Sequence, residues 1–323
     1  MIPLESSKLP VKRFKATRDA YGEVLVELGK ENKDIVVLDA DTSSSTRTRM
    51  FANAFPERFF NVGIAEQNLI GIAAGLARCG KIPFASSFSA FVPGKCVDQI
   101  RNTVAYPRLN IKIVVTHSGI TIGADGATHQ AIEDIAIMRA IPNMMVVVPA
   151  DAVETKKVIR AIVEYVGPVY VRLCRQSTPT IYDENYAYTL GKGITLTDGS
   201  DAAVIACGVM VAEALKAAEK LKKEGMFVKV IDMHTVKPID EELIARVARE
   251  TGAIITAEDH NIMGGLGGAV AEILAENYPV LMRRVGVNDV FGESGETDEL
   301  MVKYGLTADH IAQKVKDLII RKG

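Results

Sequence analysis

Short aliphatic and β-branched runs alternate along this chain with longer stretches in which apolar residues recur at helical spacing. That alternation selects a mostly parallel sheet covered by helices. The candidate strands are Ile35 to Leu38, Ile111 to Val115, Met145 to Val148, Val169 to Leu173, Ala203 to Ala206, Val228 to Ile231, Ala253 to Thr256 and Leu281 to Val285. Between them, Asp151 followed by Glu154 opens DAVETKKVIRAIVEYV as a capping box. VAEALKAAEKLKKEG carries helical spacing and stops at Gly225. At 323 residues the chain is long enough for two domains, each with its own core. Neither period survives between about Gln176 and Gly191, in STPTIYDENYAYTLG, so the boundary is placed there. The expected architecture is α/β in two domains, 1–180 and 191–323, each a mostly parallel sheet flanked by helices.

Charge and composition then remove whole classes of function. Lys plus Arg (38) nearly balances Asp plus Glu (40), which leaves a net charge of −2 and no basic excess for a phosphate backbone, so no nucleic-acid partner is expected. No run approaches the ~18 to 20 uninterrupted apolar residues of a membrane helix, and the N-terminal MIPLESSKLPVKRF lacks the apolar core of a signal peptide. Cys79, Cys96, Cys174 and Cys207 are widely spaced, without the close pair that clamps zinc or exchanges disulfides. They read as reduced thiols, and a cytoplasmic location is expected.

Local motifs add candidates without deciding among chemistries. GGLGG, Gly264 to Gly268, fails the dinucleotide fingerprint, because the sixth place counted from Gly265 is Val270; it reads as a tight turn that lets a helix pack closely on the sheet. Asp39, Asp41 and Thr42 to Ser45 directly follow the strand DIVVL, at a carboxyl end of the kind where open parallel sheets bind ligands. THSGITIGADGATHQ places His117, Asp125 and His129 on one glycine-rich loop after IKIVV. Such a trio suits acid–base work or a hydroxylated ligand better than a metal, since the two imidazoles are twelve residues apart. His234, His260 and His310 have no such company and read as structural. Glu66, in FNVGIAEQNLIGIAAGLA, either caps the apolar helix that follows or is held desolvated beside it, and spacing does not choose. Phe88 and Phe91 of SSFSAFV are core aromatics or a platform for a planar ring.

Taken in order, TRDAYGEVL, DADTSSS, NVGIAEQN, SSFSAFV, THSGITIGADGATHQ, IPNMMVVVPAD and VRLCRQ resemble the C-terminal half of transketolase over essentially the whole chain. The resemblance implies a pyrimidine-binding domain followed by the transketolase C-terminal domain, without the diphosphate-binding domain of full-length members. It therefore implies a split transketolase. A separate N-terminal subunit would supply the diphosphate site and the Mg²⁺ (or Ca²⁺) ligands for thiamine diphosphate, with no metal ligands on this chain. It further implies two copies of each subunit, in an α2β2 complex whose core is a dimer of this chain. The implied reaction is transfer of a two-carbon ketol unit from a ketose phosphate to an aldose phosphate.

Residue by residue, the resemblance makes Glu66 the catalytic carboxyl on the cofactor's aminopyrimidine nitrogen, with Phe91 stacking on that ring and Phe88 and Asp41 as further cofactor contacts. Arg18, Ser45, His117 and Arg175 fall at positions that bind the sugar phosphate. Asp125 and His129 match the pair that reads the ketose hydroxyls, His129 with a second role in moving a proton. Two positions depart from the family. Ala127 stands where proline is usual, and Lys95 where related split subunits commonly show arginine, which puts charge contacts at that helix start in doubt. Deoxyxylulose-phosphate synthase shares IAEQ, and the β subunits of 2-oxoacid dehydrogenases share the split layout, but neither accounts for THS before the loop together with the two arginines. A non-catalytic assembly subunit would be expected to have lost Glu66, Asp125 or His129.

Overall fold

The computed structural model describes residues 14–322, so the N-terminal stretch read as free of an export signal lies almost wholly outside the described residues. Two sheets carry the chain. The first has seven strands in the spatial order Thr235–Lys237, Met145–Val147, Val169–Arg172, Lys112–Thr116, Ile82–Phe88, Ile35–Asp39, Phe59–Asn61, all parallel except the first. The second has five, in the order Leu281–Val287, Ala253–Asn261, Ala202–Ala206, Val228–Asp232, Ile194–Thr197, with only the last antiparallel. Strands such as Ile35–Asp39, Lys112–Thr116 and Ala202–Ala206 are buried along their whole length. A sheet covered on both faces produces that pattern, and it is why their central positions read as apolar runs, with Asp39, Lys112 and Thr116 as buried polar ends.

All eight expected strands form, and further strands appear that the runs do not announce. Ile82–Phe88 is a central strand of the first sheet, bonded to Ile35–Asp39 and Lys112–Thr116. Its sequence IPFASSF starts beside a proline and ends in serines, so it lacks an aliphatic signature. Tertiary pairing overrides the weak propensity. The strand Thr235–Lys237, from the C-terminal part of the chain, closes one edge of the first sheet by pairing with Met145–Val147. The irregular 176–191 segment supplies a further short strand, Ser177–Pro179, antiparallel to Phe14–Ala16.

The cap at Asp151 forms as its spacing predicts: Oδ1 accepts from the Glu154 amide at 2.8 Å. Its other oxygen accepts the amides of Ile181 (2.6 Å) and Tyr182 (3.0 Å), tying the interdomain segment to a helix start. Glu154 reaches one residue past the usual partner, accepting from the Ala150 amide at 2.6 Å. The GGLGG turn is structural too. Buried Glu258 accepts the amides of Leu266 and Gly267, both at 2.7 Å, so the helix Leu266–Asn277 has its N-terminal donors satisfied by its own chain. A side chain on Gly265 would collide with that carboxylate. Buried His260 accepts from the Ala136 amide at 3.3 Å and donates to the Asn261 carbonyl at 2.6 Å, a structural bridge between domains.

Under the interdomain segment, Tyr182 donates to Asp232 (2.7 Å) and Tyr186 to Glu154 (3.3 Å), with the two rings stacked at 4.0 Å. Glu154 and Asp232 are both buried beneath these rings, and their carboxyls are close enough for each to shift the other's proton affinity. Burial raises the proton affinity of both carboxyls; the charge of Asp232 adds to the rise at Glu154, while at Asp232, pushed up to about 7, the Asp151 charge adds to it and the contacts with Tyr182 and Glu154 oppose it. Carboxyls raised above their unfolded value of about 4 stabilise the fold at low pH and lose that contribution as pH climbs through the folded value. Urea midpoints measured from about pH 5 to about pH 8 should therefore fall in the wild-type chain, and Glu154→Gln, which supplies a permanent N–H for Asp232, should flatten the profile. An equally steep decline in the variant would show that this pair does not set it.

Candidate active site

The carboxyl ends of the first sheet gather the candidates. After Ile35–Asp39 the chain turns sharply, with Asp41 (φ +64°) and Arg47 (φ +70°) in the left-handed region. Asp39 clamps this turn: its buried carboxylate accepts from the Thr42 amide and hydroxyl and from the Thr46 and Thr48 hydroxyls, at 2.5 to 3.0 Å. Burial raises its proton affinity, and those bonds oppose the rise. Asp39 is thus a structural anchor, whereas Asp41 is exposed and bonded to Asn61, accepting from its Nδ2 at 2.9 Å.

Ser45 and Arg18 are joined by that turn. Arg18 leaves the first helix, Thr17–Glu31, and one Nη donates to the Ser45 carbonyl at 3.0 Å and to His117 Nε2 at 3.1 Å. A guanidinium has no acceptor, so Nε2 accepts and the His117 proton resides on Nδ1, donated to Thr116 Oγ1 at 2.7 Å. Burial and the cations of Arg18, Arg175 and Arg47 lower the His117 pKa to about 3, which keeps the ring neutral. His117 is itself left-handed (φ +62°) and buried, a strained residue held by its surroundings. On its other side Phe88 stacks at 3.9 Å, and Phe88 in turn stacks on Phe91 at 5.6 Å.

The loop after Lys112–Thr116 brings the remaining candidates to the same place. His129 lies edge-on to Phe91 at 5.2 Å and to Phe88 at 6.4 Å. Arg175, just beyond Val169–Arg172, donates to the Ile122 carbonyl (3.2 Å) and pairs with Asp125 (3.4 Å). The groups expected to hold phosphate and those expected to read hydroxyls are therefore in contact with one another.

Glu66 is the first residue of the helix Glu66–Arg78, is 5% exposed, and makes no side-chain cap to that helix. Of the two readings left open by spacing, capping is thus removed. Its Oε2 instead accepts from Lys95 at 3.1 Å, and the Lys95 ammonium stands 4.3 Å from the centre of the Phe91 ring. One cation touching both shows that carboxyl and ring edge a common space. Sequence reasoning misses this contact, because Lys95 is 29 residues away and lies within a different helix, Val92–Asp98. Among the described residues no cluster of three or more His, Cys, Asp or Glu side chains could hold a metal ion.

A buried carboxyl beside an aromatic wall, with arginines and imidazoles at its rim, has the chemistry to take a planar nitrogen ring and an anionic, hydroxylated ligand. Family comparison gives the class of protein. The transketolase pyrimidine-binding domain matches residues 14–180 and the transketolase C-terminal domain matches residues 191–311. A solved structure described as "Split gene transketolase, inactive beta4 tetramer" superposes with a TM-score of 0.90 at 53% identity, covering 95% of this chain and 99% of that one. The 6-deoxy-6-sulfo-D-fructose transketolase subunit SqwH of Clostridium sp. (strain MSTE9) is 47% identical over 94% of this chain and 95% of its own length. An apulose-4-phosphate transketolase subunit of Phocaeicola vulgatus is 39% identical over 94% of this chain and 97% of its own. The chain belongs to the transketolase family, among the C-terminal subunits of split transketolases. Membership implies dependence on thiamine diphosphate.

The neutral state of His117 gives a direct check. Its imidazole signal should show no protonation in the free chain above about pH 4, and adding inorganic phosphate should raise its pKa, because a bound anion offsets the three arginine charges that depress it. A His117 that titrates near 6.5 without phosphate would contradict the burial and charge arrangement.

Proposed function

We propose that this chain is the C-terminal subunit of a split transketolase and, with a separate N-terminal subunit, transfers a two-carbon ketol unit from a phosphorylated ketose to a phosphorylated aldose. The observation that carries this reading is the convergence of Arg18, His117 and Arg175 on the same rim as Asp125, His129 and the Phe88–Phe91 wall. Guanidiniums suit a dianionic phosphate because their planar fork matches its oxygens. Relatives named for 6-deoxy-6-sulfo-D-fructose and for apulose 4-phosphate support an anion site of this kind and leave open the sugar that enters it.

Bound thiamine diphosphate would supply the nucleophilic carbon and electron sink for the transfer. Glu66 would hold a proton at the ring nitrogen of the pyrimidine, Phe91 would stack on that ring, and Phe88 would keep water from the same wall. Asp41, exposed at the neighbouring turn, is a further contact to the cofactor. Arg18, Arg175, His117 and Ser45 would bind the phosphate, Ser45 at the turn whose carbonyl already engages Arg18. Phosphate binding would draw Arg175 from Asp125, and the freed carboxylate would accept a ketose hydroxyl. His129, edge-on to the aromatic wall, would hold and return the proton of the ketose oxygen.

The partner subunit would provide the diphosphate and Mg²⁺ sites, in a complex of two copies of each chain. The related structure described as an inactive tetramer of one subunit supports the need for that partner. On this chain Ile64 (81% exposed), Ile72, Gly71 and Gly75 leave the outer face of the Glu66–Arg78 helix and its approach apolar and small, next to Glu66, where a partner has to pack.

The test is to combine this chain with the candidate partner, thiamine diphosphate and Mg²⁺ and follow transfer from xylulose 5-phosphate to ribose 5-phosphate and from a panel of other anionic ketoses. No transfer from any of them would remove the reading. Glu66→Ala should leave the fold intact, since a helix-end carboxyl contributes about 1 kcal/mol or less, while turnover drops by orders of magnitude. Arg175→Ala should raise the Michaelis constant for phosphorylated donors by roughly ten- to a hundredfold, the effect of one charge-assisted hydrogen bond, and change hydroxypyruvate use far less. Equal losses on both donors would make Arg175 structural.

A further inference from the structure

None of the residues assigned above comes from the C-terminal domain, yet that domain holds the loop carrying Asp125 and His129. The strand Ala253–Asn261 shifts register beyond Ala257 and continues towards the first sheet. There Asp259, buried, accepts from the Ile120 amide (2.9 Å), the Thr121 amide (3.3 Å) and the Thr121 hydroxyl (2.7 Å). The loop crosses this carboxylate so closely that Gly119 (φ +73°) has no room for a side chain, whose Cβ would collide with Asp259 Oδ2. The turn Ile120–Ile122 that Asp259 holds presents the Ile122 carbonyl to Arg175, and Asp125 follows three residues later.

The far end of the loop is tied to the same domain. Gln130 donates to the Glu293 carbonyl at 2.9 Å and to the Gly123 carbonyl at 3.3 Å. Thr297 donates to the Thr121 carbonyl at 3.3 Å, and Gly126 lies against Ser294, where a Cβ would come within 2.6 Å of its hydroxyl. Between these ties Asp125 and the His129 ring, with Nδ1 2.9 Å from the Thr128 hydroxyl, have no other buried anchor among the described contacts.

From this geometry we infer that Asp259 is a positioning residue for sugar recognition: through Ile120 and Thr121 it fixes where Asp125 and His129 stand relative to the Phe88–Phe91 wall. The inference gives the C-terminal domain a role in substrate selection, and it rests on the transketolase reading for what the loop recognises. A displacement of about 1 Å at groups that touch the reacting atoms is enough to cost roughly a hundredfold in rate.

Asp259→Asn keeps the volume but replaces one acceptor oxygen with an NH2, set against either the Ile120 amide or the Thr121 amide and hydroxyl. In the chain alone, amide hydrogen exchange between Gly119 and Gln130 should accelerate at least about tenfold, with the central strands of both sheets unchanged. In the complex with the partner subunit, thiamine diphosphate affinity should stay within about twofold of wild type. The kcat for anionic ketoses should fall roughly ten- to a hundredfold, and discrimination between ketose stereoisomers should narrow. Thr121→Val, which removes one donor to Asp259, should give a smaller loss of the same kind and keeps the test open should Asp259→Asn fold poorly. Unchanged exchange in the loop, or exchange rising alike across both sheets with the kcat and stereoisomer ratios intact, would overturn the inference. If the wild-type complex transfers no ketol unit, the transketolase reading fails while the exchange result still decides whether Asp259 holds the loop.

Discussion

A single buried guanidinium joins the two sheets to the loop between them. Arg172, at the end of a central strand, binds both oxygens of Asp134 through Nε (3.1 and 2.8 Å) and donates from one Nη to the carbonyls of Ala131 and Asp259, each at 2.9 Å. Tyr170, two residues back on the same face, donates to Asp134 at 2.7 Å. Burial disfavours the Arg172 charge, but the carboxylates of Asp134 and Asp259 outweigh it and hold the proton more firmly than in water. Removing one partner of a buried pair like this costs about 3–5 kcal/mol, because the remaining charge cannot reach solvent. The loop, the first sheet and the strand bearing Asp259 therefore behave as one unit, and the site geometry depends on that unit staying closed.

Much of this architecture can be read directly from residues. The buried parallel strands announce themselves because both faces are covered and the run is apolar, throughout in Ala202–Ala206 and up to the terminal Asp39 in Ile35–Asp39. The Asp151 cap is equally local, a carboxylate three residues from the amide it accepts. What escapes local reading has a common cause. Ile82–Phe88 becomes a strand by pairing with neighbours dozens of residues away, and Thr235–Lys237 joins a sheet formed otherwise by the N-terminal domain. Sequence spacing carries no record of such pairings.

The site divides along the same line. The residues proposed to act from a strand end or a motif, such as Glu66, Phe88, Phe91, His117 and Asp125, are candidates because of their motifs and the resemblance they carry. Asp39 has the look of a ligand group at a strand end, but its carboxylate is consumed by three threonines within nine residues. Asp259 has no local signature because its partners lie 138 and 139 residues earlier in the chain. Lys95 carries no signal of its contact with Glu66 for the same reason.

These pairs also sort by what separating them costs. Arg172 and Asp134 have side chains 6% and 1% exposed, so their charges are fixed in place. Arg175 and Asp125 are 43% and 37% exposed at 3.4 Å, and Lys95 is 48% exposed beside Glu66. Pairs with such access to water contribute of the order of 0 to 1 kcal/mol and are screened by salt. On the proposed reading, an incoming anion therefore has little to displace at Arg175, and the Lys95 ammonium can leave buried Glu66 for solvent, while the scaffold that aims both is held by buried charge. Rigid anchors below and exchangeable partners at the rim are what a site needs if it is to keep its shape through every turnover yet release its own internal contacts to each ligand that binds.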